Sequence, residues 1–256
     1  MNIVALIPAR MSSSRLPGKP MADILGIPMI GHVYFRAELC DILNDVYVAT
    51  CDLEIAAYIE SIGGKAVMTS EVHERASDRT AEALLIIEKD TGKKIDIVVM
   101  IQGDEPMVTP EMIRAAVEPM VLESSLNITN LMGNINTIEE HEDPAEVKVV
   151  VDKHNFALYF SREPIPSRKK GFLEVPMLKQ VCVIPFRRDF LLMYNKMDQT
   201  PLEQIESIDM NRLLENGIRI KMIFCEEETY SVDTPADLKN VNAKMVNDPL
   251  LAKYIS

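Results

Sequence analysis

Runs of β-branched and other apolar residues recur along the first hundred positions, at Ile3–Ile7, Val46–Thr50 and Ile95–Ile101, and helical spacing follows each one. A strand too apolar to alternate must be covered on both faces. An interposed helix is what returns the chain to begin a parallel neighbour. Ile3–Ile7 precedes a helix over Met29–Cys40, and Val46–Thr50 precedes one over Leu53–Ile62 that stops at Gly63-Gly64. The short strand Lys65–Met68 precedes a helix over Asp78–Lys89. Ile95–Ile101, wholly apolar after Asp96, reads as a central buried strand, and Thr109-Pro110 offers the N-cap and first residue of the next helix. These units predict an α/β fold with a mostly parallel central sheet and helices on both faces.

The second half is richer in strands. Val147–Val151 and Ala157–Phe160 flank Asp152-Lys153-His154-Asn155, a tetrad that predicts a hairpin. Lys179–Ile184 and Arg219–Phe224 read as further strands, with a helix over Pro201–Asn216 between them, closed by Gly217. With no repeat, low-complexity tract or Pro/Gly-rich linker, residues 1–256 read as a single domain, with about 130–190 as a strand-rich insertion. A chain of 256 residues can bury roughly 70–75% of its unfolded surface.

The net charge of -12 argues against a broad basic field for nucleic acid or a membrane surface. Against that background the segment from Ile7 to Lys19 is anomalous. It carries Arg10, Arg15 and Lys19 with Ser12, Ser13, Ser14 and Gly18, and no Asp or Glu occurs before Asp23. Surface charges are screened beyond about 8 Å at physiological salt. A pair at 4 Å is worth roughly 4 kcal/mol at an effective dielectric near 20, so the local cluster outweighs the global charge. A cationic, hydroxyl-rich loop at a strand end is a phosphate cradle, here read as one for a triphosphate. It is not a Walker A loop, because Pro20 follows Gly18-Lys19.

Two acidic motifs complement it. Gln102-Gly103-Asp104-Glu105-Pro106 follows the central strand, where open α/β sheets bind ligands, and either Asp104 or Glu105 suits magnesium. In Ser231-Val232-Asp233-Thr234-Pro235-Ala236-Asp237, a capping box explains Thr234 and Asp237 and leaves Asp233 free for a metal. Arg75, Ser77, Asp78 and Arg79 precede a helix and can offer polar groups to a ligand, while Lys148 and Arg162 are candidates to bind a carboxylate or phosphate. The four histidines have no partner at metal-ligand spacing. Cys40, Cys51, Cys182 and Cys225 form no C-x-x-C pair and read as buried thiols of a reducing compartment. The opening apolar stretch is too short for a secretory leader and no run approaches about 20 apolar residues, so the expected location is cytoplasmic.

Taken in order, Ile7-Pro-Ala-Arg with Ser14-Arg-Leu-Pro-Gly-Lys-Pro, Gln102-Gly-Asp-Glu-Pro, Val147-Lys-Val-Val, Leu158-Tyr-Phe-Ser-Arg, Leu202-Glu-Gln-Ile-Glu and Val232-Asp-Thr-Pro resemble the 3-deoxy-manno-octulosonate cytidylyltransferases (CMP-Kdo synthetases). The match is collinear from residue 3 to about 242. The resemblance implies a GT-A-like nucleotidyltransferase fold and a homodimer, with residues 130–190 as a dimerisation subregion. It also implies transfer from CTP to an acidic ulosonic sugar with Mg2+, in lipopolysaccharide biosynthesis. It assigns Arg10, Ser13, Arg15 and Lys19 to the phosphates and Ser77, Arg79 and Gln102 to the nucleoside. Asp104 and Asp233 fall to the metal, and Arg162, Gln180, Glu203 and Glu206 to the sugar. Arg10, Lys19, Asp104 and Asp233 would carry catalysis.

The chain departs from the family at two places. Arg75-Ala76-Ser77-Asp78-Arg79 stands where a Ser-Gly-Thr-Asp-Arg type sequence is common, and Lys179-Gln180-Val181-Cys182 where Lys-His-Ile-Gly is usual. Gln180 hydrogen-bonds but cannot become cationic, which keeps another nonulosonic acid open as acceptor. A non-catalytic nucleotide-binding relative is a further alternative, weighed against by the two retained aspartates. A nucleotidyltransferase for a neutral sugar phosphate, or a GT-A glycosyltransferase, is disfavoured by Leu158–Arg162 and the Val232-Asp-Thr-Pro box.

Overall fold

The computed structural model describes residues 1–13, 15–169, 171 and 174–255. Ser14, counted above with the cationic loop, lies outside the described residues. The chain opens with β1 (Ile3–Ala9), a small hairpin of β2 (Asp23–Ile24) and β3 (Ile27–Pro28), and α1 (Met29–Glu38). There follow β4 (Asp45–Thr50), α2 (Leu53–Ser61), β5 (Ala66–Met68), α3 (Ala76–Thr91), β6 (Ile97–Ile101) and α4 (Pro110–Leu122). The second half contributes β7 (Thr129–Asn134), α5 (Ile138–Glu142), β8 (Lys148–Val151), β9 (Ala157–Ser161), β10 (Leu178–Val181) and β11 (Val183–Arg187). It closes with α6 (Arg188–Tyr194), α7 (Pro201–Glu206), α8 (Met210–Glu215), β12 (Lys221–Phe224) and α9 (Pro235–Met245).

The first sheet has the order β11-β6-β1-β4-β5. Its last four strands are parallel and β11 is antiparallel to β6. The period of two along β1 divides the core: Ile3, Ala5 and Ile7 join the cluster that includes Ile30 and Val33 of α1, Ile55 of α2 and Ile113 of α4. Val4 and Leu6 face the other way, to Leu84 and Ile87 of α3, Leu191 of α6 and Leu213 of α8. That is the two-sided burial which the unbroken apolar strands require.

The strand-rich half builds a second sheet, β12-β7-β10-β8-β9, joined by the late strand β12 parallel to β7. The β8–β9 hairpin forms where the Asp152 tetrad predicts it. Asp152 Oδ1 accepts the N–H groups of His154 and Phe156 at 2.8 and 2.9 Å, and Asn155 takes the left-handed conformation.

Two expected elements are divided. The strand read over Lys179–Ile184 is two strands in different sheets, since Val181 pairs with Leu131 and Val183 with Ile101. Cys182 is the pivot, and uninterrupted apolar residues on both sides conceal it. The helix read over Pro201–Asn216 is also two, broken at Ser207 with φ 54°. The end of α7 is met by Arg162, whose Nε donates to the Glu206 carbonyl at 2.9 Å. The strand read from Arg219 begins instead at Lys221.

A third, small core holds the ligand-facing loops together. Ile24 of the hairpin, Met29, Val232 and Val241 form it, with Leu16 and Met107 packed against them. Beneath it, buried Arg36 of α1 pairs with Asp248 and donates through Nε to the Tyr254 hydroxyl at 3.0 Å. His32, also buried, lies between Tyr254 Oη at 2.9 Å and the Ile24 carbonyl at 2.8 Å.

Candidate functional site

Because β1 and β6 are paired in parallel, Arg10 and the Gln102–Asp104 turn emerge side by side at their carboxyl ends. The approach is close: a Cβ on Gly103 would lie 3.3 Å from the Pro8 carbonyl oxygen and 3.1 Å from Ile30 Cδ1. Val232 N–H donates to the Asp104 carbonyl at 2.9 Å and so brings the neighbouring Asp233 alongside. Thr234 caps α9 as its sequence predicts, its amide donating to Asp237 at 2.8 Å, which leaves Asp233 free of capping duty.

These elements enclose a cavity of about 350 Å³ lined by Arg10, Ser12, Ser13, Arg15, Lys19, Arg75, Arg79, Gln102, Asp104 and Asp233, among others. At its centre Lys19 Nζ lies 2.6 Å from Asp104 Oδ2 and 2.9 Å from Asp233 Oδ1. Arg15 Nη2 reaches Asp233 Oδ1 at 3.0 Å. Burial of Lys19 disfavours its charge, yet the two carboxylates win and its pKa is raised. Segments 85 and 214 residues apart in sequence therefore meet at one ammonium group. Opposite them, the first turn of α3 brings in Arg75 and Arg79, and Arg10 donates to the His73 carbonyl at 3.4 Å.

Burial separates the two neighbouring carboxylates. Asp104 faces the cavity, whereas Glu105 is 7% exposed and turned into the protein, where burial pushes its carboxyl up to about 8. Ser77 is fully buried and donates to Asp209 Oδ2 at 3.0 Å, so it supports the α3 wall from behind. Arg79 donates to Thr69 and Ser70, while its buried Nη2 has no partner among the described residues.

The four residues assigned to the sugar do not line this cavity. Arg162 is spent on the carbonyls of Pro144, Glu206 and Ser207, and Glu206 accepts from Tyr159, Ser161 and the Arg162 amide. Gln180 donates to Asn130 Oδ1 at 2.6 Å. Glu203 requires a correction, because its carboxylate is completely buried and grips Arg212 through two bonds of 2.7 and 2.6 Å. It reaches the cavity only indirectly, with Oε1 3.0 Å from Nε of Arg75. Lys148 is likewise structural, its buried ammonium donating to the carbonyls of Asp143, Glu146 and Arg162. Arg75 lines the cavity, as the polar run before α3 suggests, but its Glu203–Arg212 anchor was not legible beforehand. An acid and a base nine residues apart in a presumed single helix give no sign of pairing across a helix break.

Sequence and structure comparisons show what the chain is similar to. A family model described as Cytidylyltransferase matches residues 4–220. The 3-deoxy-manno-octulosonate cytidylyltransferase of Geotalea uraniireducens is 42% identical over 251 residues, covering 94% of this chain and 98% of that one. The Geobacter metallireducens protein of the same name is 40% identical over 255 residues, covering 96% and 98%. Among solved structures, a CMP:2-keto-3-deoxy-manno-octonic acid synthetase complexed with CTP superposes with a TM-score of 0.85 at 39% identity, covering 96% and 99%. A 4-diphosphocytidyl-2C-methyl-D-erythritol synthase from Anaerococcus prevotii shares the fold, with a TM-score of 0.62 at 11% identity over 96% and 99% of the two chains.

Proposed function

The chain belongs to the 3-deoxy-manno-octulosonate cytidylyltransferase (CMP-Kdo synthetase) family, and we propose which of its residues carry the reaction. That reaction joins CTP to 3-deoxy-manno-octulosonate, giving the CMP-sugar for lipopolysaccharide biosynthesis and releasing pyrophosphate. Arg10, Ser13, Arg15 and Lys19 hold the triphosphate. Gln102, Arg79 and the α3 turn, backed by Ser77, receive the nucleoside. The sugar's anomeric hydroxyl attacks the α-phosphorus in line as pyrophosphate leaves. Little covalent work falls to the protein, and orientation and fixed charge carry the rate. Arg10 and Lys19 stabilise the negative charge that grows on the leaving pyrophosphate.

Magnesium fits the donor set. Asp104 Oδ2 and Asp233 Oδ1 converge on one point, and no group of three or more His, Cys, Asp or Glu side chains suited to a metal occurs among the described residues. Two carboxylates completed by substrate phosphates are the usual magnesium arrangement. Bound there, the ion would neutralise phosphate charge and acidify a coordinated hydroxyl. Arg162, Gln180 and Glu206 are our assignments on the sugar side, with Glu203 acting through Arg75. A homodimer is our reading of the assembly, for which exposed Leu158 on edge strand β9 is a natural contact. No helix among the described residues is long and apolar enough to cross a membrane.

The observation carrying this assignment is the meeting of Lys19, Asp104 and Asp233. Asp104→Asn tests it: pyrophosphate release from CTP and the sugar acid should drop by about a hundredfold or more. Near-normal magnesium-dependent turnover would remove Asp104 from the site. Turnover with a panel of ulosonic acids measures how far Gln180 widens the acceptor range.

A further inference from the structure

Lys19 Nζ sits between the two carboxylates that would hold the metal. It is within hydrogen-bond distance of one oxygen from each aspartate, the side chain is only 14% exposed, and those oxygens are the two assigned to magnesium. An ammonium and a divalent ion cannot share that point. We propose that Lys19 is an internal competitor of the metal: in the nucleotide-free protein it neutralises Asp104 and Asp233 and keeps divalent-ion affinity low. The incoming triphosphate then draws the ammonium off and opens the carboxylates. This inference rests on the reading of Asp104 and Asp233 as metal ligands.

The physical argument is one of exchange. Two facing carboxylates without a cation would repel each other, so the apo site must recruit one, and a tethered ammonium is present at high effective concentration. The loop makes the exchange feasible. Lys19 lies in a single 3-10 turn whose preceding residue, Gly18, is left-handed with φ 69°, and on a four-carbon stem its charge can move without unfolding the loop. Once phosphate oxygens are near, the ammonium has an alternative anionic partner. Metal and nucleotide binding then become positively coupled, and by linkage the coupling is reciprocal. Arg15 also touches Asp233, but it is half exposed and bridges no second carboxylate, so it serves as the control.

The test is Mn2+ binding measured without nucleotide, by the paramagnetic resonance of free ion, on folded wild type, Lys19→Met, Arg15→Met and Lys19→Met/Asp104→Asn. Lys19→Met should bind Mn2+ at least about tenfold more tightly than wild type, and Arg15→Met less than about threefold. Lys19→Gln replaces Lys19→Met if the latter fails to fold. Affinity unchanged or weakened in the Lys19 variant overturns the competition, as does an equal gain in Arg15→Met, which would show only a general field effect. If Lys19→Met/Asp104→Asn binds as tightly as Lys19→Met, the assignment of Asp104 as a ligand fails instead, and the competition falls with it.

Discussion

Replacing Glu203 separates a positioning role from sugar contact. Its carboxylate accepts from Arg212 Nε at 2.7 Å, Arg212 Nη2 at 2.6 Å and the Thr200 amide at 3.2 Å, and it lies 3.0 Å from Arg75 Nε. Glu203 is 0% and Arg212 3% exposed, and a guanidinium does not deprotonate in a protein, so Arg212 stays charged when its partner is gone. Breaking a buried pair from one side costs about 3–5 kcal/mol, because the remaining charge is stranded away from water. For a chain of this size each kcal/mol is worth roughly 2–4 °C, which places the melting shift of Glu203→Ala between about 6 and 20 °C. Denaturant and thermal melts measure it. Glu203→Ala/Arg212→Leu should recover part of the loss, since no unpaired charge remains. Steady-state kinetics on Glu203→Gln then report on Arg75, whose release should raise KM for CTP. A Glu203→Ala protein that melts within about 2 °C of wild type, with the defect confined to KM for the sugar, would refute the anchor and restore direct sugar contact.

Three further outcomes follow from buried polar groups. Lys148→Met strands three carbonyls at once and should destabilise by about 1–3 kcal/mol in urea, without a specific change in KM for CTP. Arg36→Met should cost about 3–5 kcal/mol and increase proteolysis after Asp248, as the guanidinium tying down that segment disappears. Burial holds the His32 pKa below its ordinary 6.5. The unfolded chain therefore binds the proton more readily, so this group's stability is complete above 6.5 and is lost as pH falls from there toward the lowered folded value. Unfolding free energies at pH 5.5 and 7.5 should differ less in His32→Gln than in wild type, and an equal difference would show that His32 does not titrate in this way.

The parallel sheet was legible because its evidence is local: Ile3–Ile7 and Ile95–Ile101 are apolar on both faces and can sit only inside. Thr109 and Thr234 announced their helices for the same reason, each cap being written within four residues. That Lys19, Asp104 and Asp233 share one cavity was inferred from opposite charge and a collinear family resemblance, and the structure adds their direct contact. What stayed hidden depends on long-range pairing. The bend at Cys182 has no Gly or Pro to mark it, and the break at Ser207 is stabilised by Arg162, some 45 residues away. The β2–β3 hairpin turns on Leu25-Gly26, both at positive φ, and Leu is not a residue that signals such a turn. Nor could spacing show that Lys148 and Glu203 are engaged within the protein, since a charged side chain spent on buried partners has the same letter as one awaiting a substrate.

The crossing at Cys182 has a mechanical consequence. One residue passes the chain between sheets; the Cys182 carbonyl accepts the Gln102 amide at 3.0 Å, and the Cys182 N–H lies beside the Glu105 carboxyl. Torsion of either slab against the other is thus delivered to the two residues that bracket Asp104.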